Sequence, residues 1–572
     1  MDAKRGFSES TENLAPLAQV ESPDALVVGT SQLFDGNKIR YIPMPTPDPK
    51  DPLNLPNWRK WLAVAALCFF GALALAAETI IGALVPVFAL EYAGIDPKIL
   101  ASIDIGALSP PGSVNTNPLK LLDNLGGPPL FKVALLASVP MLVNGLSSYI
   151  LVPLSIYVGR RPVLIFAGVV AWGGGLWAGF STSLNSHLAA RCFQGLGAGT
   201  VESLLPLIVQ DMMFIHQRNT AIAAISASQG LIIVSLGIAS PIIVARLSWR
   251  FIYYITSGAG IFAWIALIFL VPETRWIRSA DELAGKEVYL LAPGETRPRV
   301  DPITYGPRTY GTEFGVLTFG LEPRAALRSV WETLKTTVFP NVLWVIAINS
   351  LLVSIQGAAG QVGSSVLIAA GWDFEKLGLA VIPIVVASPF VMIFGGYVAD
   401  LISNKHAQRN GGRREPEAHL LSLILPMSAG VAGSFLFGYV GENVRTLPSI
   451  VLLIAVFLIG FGFLTANAIF SVYLVESYPQ FAGPVLVNVS SIRLIIGFAF
   501  SFKATDWIQD LGFMTNFAIY GAALTGVSLL LPVMYIYGKP IRAWTSGRLE
   551  ARVVKDVDDD DRDWKVEEHN RM

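Results

Sequence analysis

A chain of 572 residues that is 53% hydrophobic and only 15% charged has too little polar surface for a soluble protein of this size. Its net charge of −1 excludes a strong nucleic-acid footprint. Its two cysteines, Cys68 and Cys192, both lie in apolar runs, which excludes a disulfide framework.

Residues 1–59 are polar and Pro-rich and read as a disordered tail. The first apolar run begins near Trp61, too far in for a secretory signal. Runs then follow at 60–88, 131–154, 161–182, 187–210, 219–245 and 250–271. Each is about 20 residues or longer, enough to span about 30 Å of hydrocarbon. In lipid the backbone must satisfy its own hydrogen bonds, so each run is predicted to be a helix. A polar linker occupies 272–338, and six more runs lie at 341–368, 376–402, 417–440, 447–474, 482–503 and 512–537. Residues 539–572, with Asp558 to Asp561, read as an acidic solvated tail. The predicted fold is therefore all-α and integral to a bilayer. Its twelve helices form two six-helix halves, 60–271 and 339–538, around a central site.

The loop at 89–130 is long and carries Pro110-Pro111-Gly112 and Gly126-Gly127-Pro128-Pro129. It is expected to be irregular, either a surface insertion or a lid. Lys and Arg in the short loops show no bias between the two sides. When linker and tails are included they gather on the side of the linker and both termini, which places that side in the cytoplasm.

Three patterns carry a family resemblance. Val152-Pro153-Leu154-Ser155-Ile156-Tyr157-Val158-Gly159-Arg160-Arg161, in the helix 2–3 turn, resembles the end of the signature loop of the major facilitator superfamily, with Ile156 where that pattern has an acid. Arg191-Cys192-Phe193-Gln194-Gly195-Leu196-Gly197, in helix 4, matches a second signature. Trp249-Arg250 before helix 6 and Pro272-Glu273-Thr274-Arg275 after it resemble the fungal drug:proton antiporter branch. Asp51 to Trp61, Asp211 to Arg218 and Asp400 to Lys405 are similar to segments of fungal polyamine/histidinol permease-like carriers. The helix 5 antiporter signature keeps Gly230, Gly237 and Pro241, but Ser240 and Val244 replace its other glycines. The resemblance implies the major facilitator fold. It also implies a proton-coupled carrier of a small organic solute, a drug-like compound or organic cation, acting as a monomer in the plasma membrane; the other readings are an importer of polyamine-like cations and a non-transporting receptor on the same fold.

Charges inside membrane helices mark function, because each costs about 2.5–3.5 kcal/mol at the bilayer centre. Arg191 falls in the outer half of helix 4, Glu202 in its inner half, and Glu78 in the outer third of helix 1. Arg493 falls about 16 Å along helix 11. Glu202 reads as a proton carrier or a helix-to-helix hydrogen-bond partner. Glu78 reads as a cavity group or a residue that snorkels to the surface. On a continuous helix 4, Arg191 and Glu202 face broadly one side, about 16 Å apart. Gln356 and Asn467 join them as polar cavity residues. At the linker side, Gly159, Arg160, Arg161, Asp211, Arg218, Asp400 and Lys405 form a candidate set of gate ion pairs, the other reading being a fixed surface anchor. Five histidines form no metal-ligand cluster, no phosphate loop is present, and neither a catalytic residue nor a cofactor is expected.

Overall fold

The computed structural model describes residues 31–32, 34–35, 38–39, 41–95, 127–283, 288–289, 295, 297–315, 321–372, 374–444 and 446–545. Most of the long loop and all of the acidic run at 558–561 lie outside these residues.

Among the described residues, ten helices are long and apolar enough to span a membrane: Asn57–Gly82, Lys132–Tyr157, Arg160–Phe180, Ile215–Arg246, Arg250–Leu270, Pro340–Gly363, Lys376–Arg409, Pro416–Glu442, Ser449–Ser477 and Ala482–Ala504. They are helices 1, 2, 3, 5, 6, 7, 8, 9, 10 and 11 of the sequence reading. Helix 12 is the pair Phe513–Ser528 and Leu531–Thr545, bent by 44°. It therefore runs beyond the expected end at 538. The bidentate Arg542–Glu417 contact, at 2.7 and 2.8 Å, buries its last turn against the start of helix 9.

Helix 4 is broken. Its pieces are Leu184–Ala198 and Leu204–Met212, with a turn over 199–203 between them. Pro206 lies in the first turn of the second piece and offers no N–H to the Glu202 carbonyl four residues earlier, which suits a helix start there. The expected geometry of Arg191 and Glu202 on one straight helix does not hold.

The halves pack alike. In the first half helix 1 lies on 5, 3 on 4, 2 on 4 and 3 on 6; in the second, 7 lies on 11, 9 on 10, 8 on 10 and 9 on 12. This is one packing scheme used twice. The halves meet along two seams. Helix 2 runs beside helix 11, from Met141 against Gly497 to Val152 against Gly483. Helix 5 runs beside helix 8, from Gly237 against Gly378 to Thr220 against Gly396. Backbones come so close here that a Cβ on Gly378 would sit 2.7 Å from the Ile238 carbonyl.

The expected tail is structured over its last part. Ile42, Met44, Leu53 and Leu55 are buried. Asp51 accepts from Leu53 N at 2.9 Å and pairs with Arg278 of the linker. Arg59 makes a bidentate pair with Glu313 at 3.0 and 2.9 Å. Composition misses this order because the partners lie more than 200 residues away in the sequence. A linker helix, Pro323–Thr336, lies against helices 2 and 11.

Candidate transport site and the seams that enclose it

A buried ion pair joins the halves. Glu202, in the break of helix 4, pairs with Arg493 of helix 11 at 2.5 Å. Arg493 also donates to the side-chain oxygen of Asn467 on helix 10. Its guanidinium lies 5.8 Å from the centre of the Phe463 ring. Three residues predicted separately are thus one constellation on three helices. The turn holding Glu202 is fixed against helix 2, where the Ser148 hydroxyl donates to the Gly199 carbonyl at 2.7 Å.

Arg191 belongs to a second cluster. Its guanidinium donates to the Leu136 carbonyl at 3.0 Å, to Ala77 O at 2.9 Å and to Glu78 O at 2.7 Å, and also to the Gln194 side chain. Ala77 and Glu78 stand where helix 1 gives way to a 3-10 turn, Ile80–Leu84. Carbonyls freed by that change take up the arginine. The Glu78 carboxylate is buried rather than snorkelling and accepts from the Asn144 amide at 2.8 Å. Glu202 and Arg191 both lie within electrostatic reach of it. Gln356 stands apart, its side-chain oxygen buried with no partner among the described residues.

At the linker end the predicted gate set divides into two groups. Gly159 has φ +128°, which a side chain would strain, and a Cβ there would lie 2.5 Å from a Glu273 oxygen. That Glu273 carboxylate accepts from the backbone N–H groups of Arg160 at 3.0 Å, Arg161 at 3.2 Å, Thr274 at 2.9 Å and Arg275 at 2.8 Å. It therefore caps the start of helix 3, where a negative charge also meets the positive end of the helix dipole. Arg161 donates to the Val271 carbonyl at 3.1 Å, to Ile268 O at 2.7 Å and to Phe314 O. Arg160 pairs with Asp211 at 3.3 Å. All these contacts stay within the first half and its linker, so Gly159, Arg160, Arg161 and Asp211 do not reach across a seam.

Asp400 does reach across. It accepts from Asn219 Nδ2 at 2.5 Å and Thr220 Oγ1 at 3.0 Å, both on helix 5 of the other half. Behind it, Arg414 pairs with Glu476 at 3.0 Å, and His419 contacts Glu476 at 2.9 Å. Arg218 is buried and donates to the Gln210 carbonyl at 3.4 Å. Lys405 is exposed and makes no ion pair among the described residues, because its helix turns it outward. Asn219, His419, Arg414 and Glu476 were not predicted as site residues. Comparing the halves exposes two of them, Glu476 and Arg414: Glu476 ends helix 10 as Asp211 ends helix 4, and each pairs with an arginine from the loop before the preceding helix.

The sequence matches the profile of the Major Facilitator Superfamily over residues 67–501. The chain belongs to that superfamily. Relatives include the uncharacterized MFS-type transporter C1271.10c of Schizosaccharomyces pombe, 23% identical and covering 88% of each chain. Protein HOL1 of Saccharomyces cerevisiae is 21% identical over 88% of this chain and 90% of its own. Efflux pump radE of Floropilus chiversii is 23% identical over 87% and 83%. Among solved structures, the human organic anion transporter MFSD10 superposes with a TM-score of 0.52 at 17% identity, covering 83% of this chain and all of its own. The proton:xylose symporter XylE gives 0.52 at 15%, covering 84% and 96%. The resemblance to fungal carriers of this superfamily therefore stands: the protein is a multi-pass membrane transporter for a small molecule, not an enzyme.

Proposed function

We propose that this facilitator is a secondary active carrier that moves an organic cation or drug-like compound by alternating access, coupled to protons. The observation behind this reading is the buried Glu202–Arg493 pair between the halves. One carboxylate there has three competing occupants: Arg493, a proton, or a cationic group on the solute. A proton or a solute cation on Glu202 leaves Arg493 without its counter-ion. Neutralising one partner of a buried pair costs about 3–5 kcal/mol. Moving a two-state equilibrium from 1:99 to 99:1 takes about 5.5 kcal/mol. The pair is therefore strong enough to supply most of the switch between open states.

Asp400 with Asn219 and Thr220 serves in this reading as the closure on the linker side. Residues 1–59, 272–338 and 539–572 face the cytoplasm, and 89–130 faces outward. The carrier works as a monomer in the plasma membrane. Efflux pumps among the relatives favour export. One observation favours a second reading, uptake of polyamine-like cations: Glu78 lies near Glu202, and its carboxylate is bound by an amide rather than a cation. Two such carboxylates suit a solute with two positive charges.

Reconstituted vesicles with an imposed pH gradient test the proposal against a panel of organic cations, polyamines and drug-like compounds. The native carrier accumulates at least one of them. Glu202→Gln loses accumulation but retains exchange of solute for solute. Accumulation by Glu202→Gln with normal pH dependence would remove the carboxylate from coupling, leaving Glu78 as the next candidate. Failure of the folded native carrier to move any compound would favour a receptor built on a carrier fold.

A further inference from the structure

The linker helix Pro323–Thr336 has one face packed and one face bare. Ser329, Thr333 and Thr336 are buried, and Asn488 of helix 11 donates to Thr333 O at 2.6 Å and to Thr336 Oγ1 at 3.0 Å. On the opposite face Leu327 is 73% exposed, Trp331 57% and Leu334 61%, and Val338, just past the helix end, is 69% exposed. These positions fall at i, i+4, i+7 and i+11, a single stripe of an α-helix. At 100° per residue, Arg324, Arg328 and Lys335 lie within about 40° of one another along one edge of that stripe. The Lys335 ammonium lies 4.9 Å from the centre of the Trp331 ring.

The helix does not hang free in water. The residue that precedes it is tied to the end of helix 2, where Glu322 N donates to the Tyr157 carbonyl at 3.4 Å and the Glu322 carboxylate pairs with Arg275 at 2.7 Å. Its last turn is tied to Asn488, which also accepts from Tyr149 of helix 2 at 3.3 Å. Tyr149 and Tyr157 are eight residues apart, about 12 Å along helix 2. The linker helix therefore descends along the helix 2–helix 11 seam instead of lying above it. The spanning helices beside it carry exposed apolar residues too: Ile150, next to Tyr149, and Leu146 one turn before it on helix 2, and Leu343, five residues past Val338, on helix 7.

We propose that this face is a lipid-binding surface: the linker helix lies in the headgroup region of the linker-side leaflet, with its apolar stripe toward acyl chains and its basic edge on anionic headgroups. The exposed apolar residues on the adjoining membrane-spanning helices select lipid over a protein partner. The basic edge beside Trp331 selects anionic lipid over neutral. Because the packed face grips the seam between the halves, lipid held here bears on an element that must give way if the seam parts.

The test uses the full carrier with Cys68→Ser and Cys192→Ser, and one spin label at Leu327, Leu334 or, as a water-exposed reference, Ile303, which is 94% exposed. Vesicles contain phosphatidylcholine alone or mixed with phosphatidylglycerol. The ratio of collisions with oxygen to collisions with a water-soluble nickel chelate is expected to be severalfold higher at 327 and 334 than at 303. Phosphatidylglycerol should raise it further, and the combined Arg324→Gln, Arg328→Gln and Lys335→Gln variant should lose that further rise. Ratios at 327 and 334 equal to that at 303 overturn the proposal. Shielding from both reagents also overturns it, because a second copy or another protein then covers the face. Indifference to phosphatidylglycerol overturns the anionic preference.

Discussion

Removing the Asp400 carboxylate should open the linker-side closure without unfolding the carrier. Asp400 holds two donors of the opposite half, Asn219 at 2.5 Å and Thr220 at 3.0 Å, while Arg414 of its own half stands 3.8 Å away. When the seam parts, water replaces those donors, so only the net strength of the bonds biases the equilibrium. Hydrogen bonds to charged groups contribute about 1.5–3 kcal/mol net. With two such bonds lost, about 3–6 kcal/mol in all, Asp400→Ala should move the ratio of closed to open forms by roughly 150-fold or more. Spin labels at Trp58 and Lys405, both exposed and on opposite halves, report this as a distance distribution between the linker-side ends. The variant should gain a longer-distance population at the expense of the short one. An unchanged distribution in a folded, normally expressed variant would refute the reasoning and make Asp400 a static packing group.

Arg161→Ala is expected to leave that distribution unchanged, because its three carbonyl contacts all lie within the first half and the linker. It should instead lower thermal stability in detergent by about 2–4 kcal/mol, as buried carbonyls lose a charged donor; a shifted distance distribution with native stability would contradict this. Gly159→Ala combines strained backbone with a contact at 2.5 Å to Glu273, and a size-exclusion profile should show loss of the folded peak. Recovery of a native profile would mean that the helix 2–3 turn tolerates a different path. Lys405→Ala should alter neither stability nor state distribution, and a change in either would reveal a partner that the present contacts do not include.

The fold was legible because a membrane imposes long apolar runs, and eleven of the twelve predicted runs reappear as single or bent helices. The break in helix 4 was not legible: Pro206 stands four residues past Glu202, but Pro140, Pro153 and Pro241 lie inside unbroken helices. The central site was half legible. Charge in an apolar segment singled out Glu202 and Arg493, yet their pairing depends on how the two halves dock, which no local pattern encodes. The linker-side groups were assigned as one gate because their charges cluster in loops. Only three-dimensional contacts separate Arg161, which binds backbone of its own half and the linker, from Asp400, which binds the other half. Glu476 and His419 were missed because each looks like an ordinary polar residue at a helix end.

Proton exchange at Glu202 is the centre of this account, and proton release on solute binding tests it most directly. Detergent-solubilised carrier in weakly buffered solution with a pH-indicator dye is mixed with an organic cation found by the vesicle panel. Proton release is expected from the native carrier on binding that cation, and none from Glu202→Gln, assayed at cation concentrations high enough to saturate its weakened site. Equal release from both proteins would contradict it.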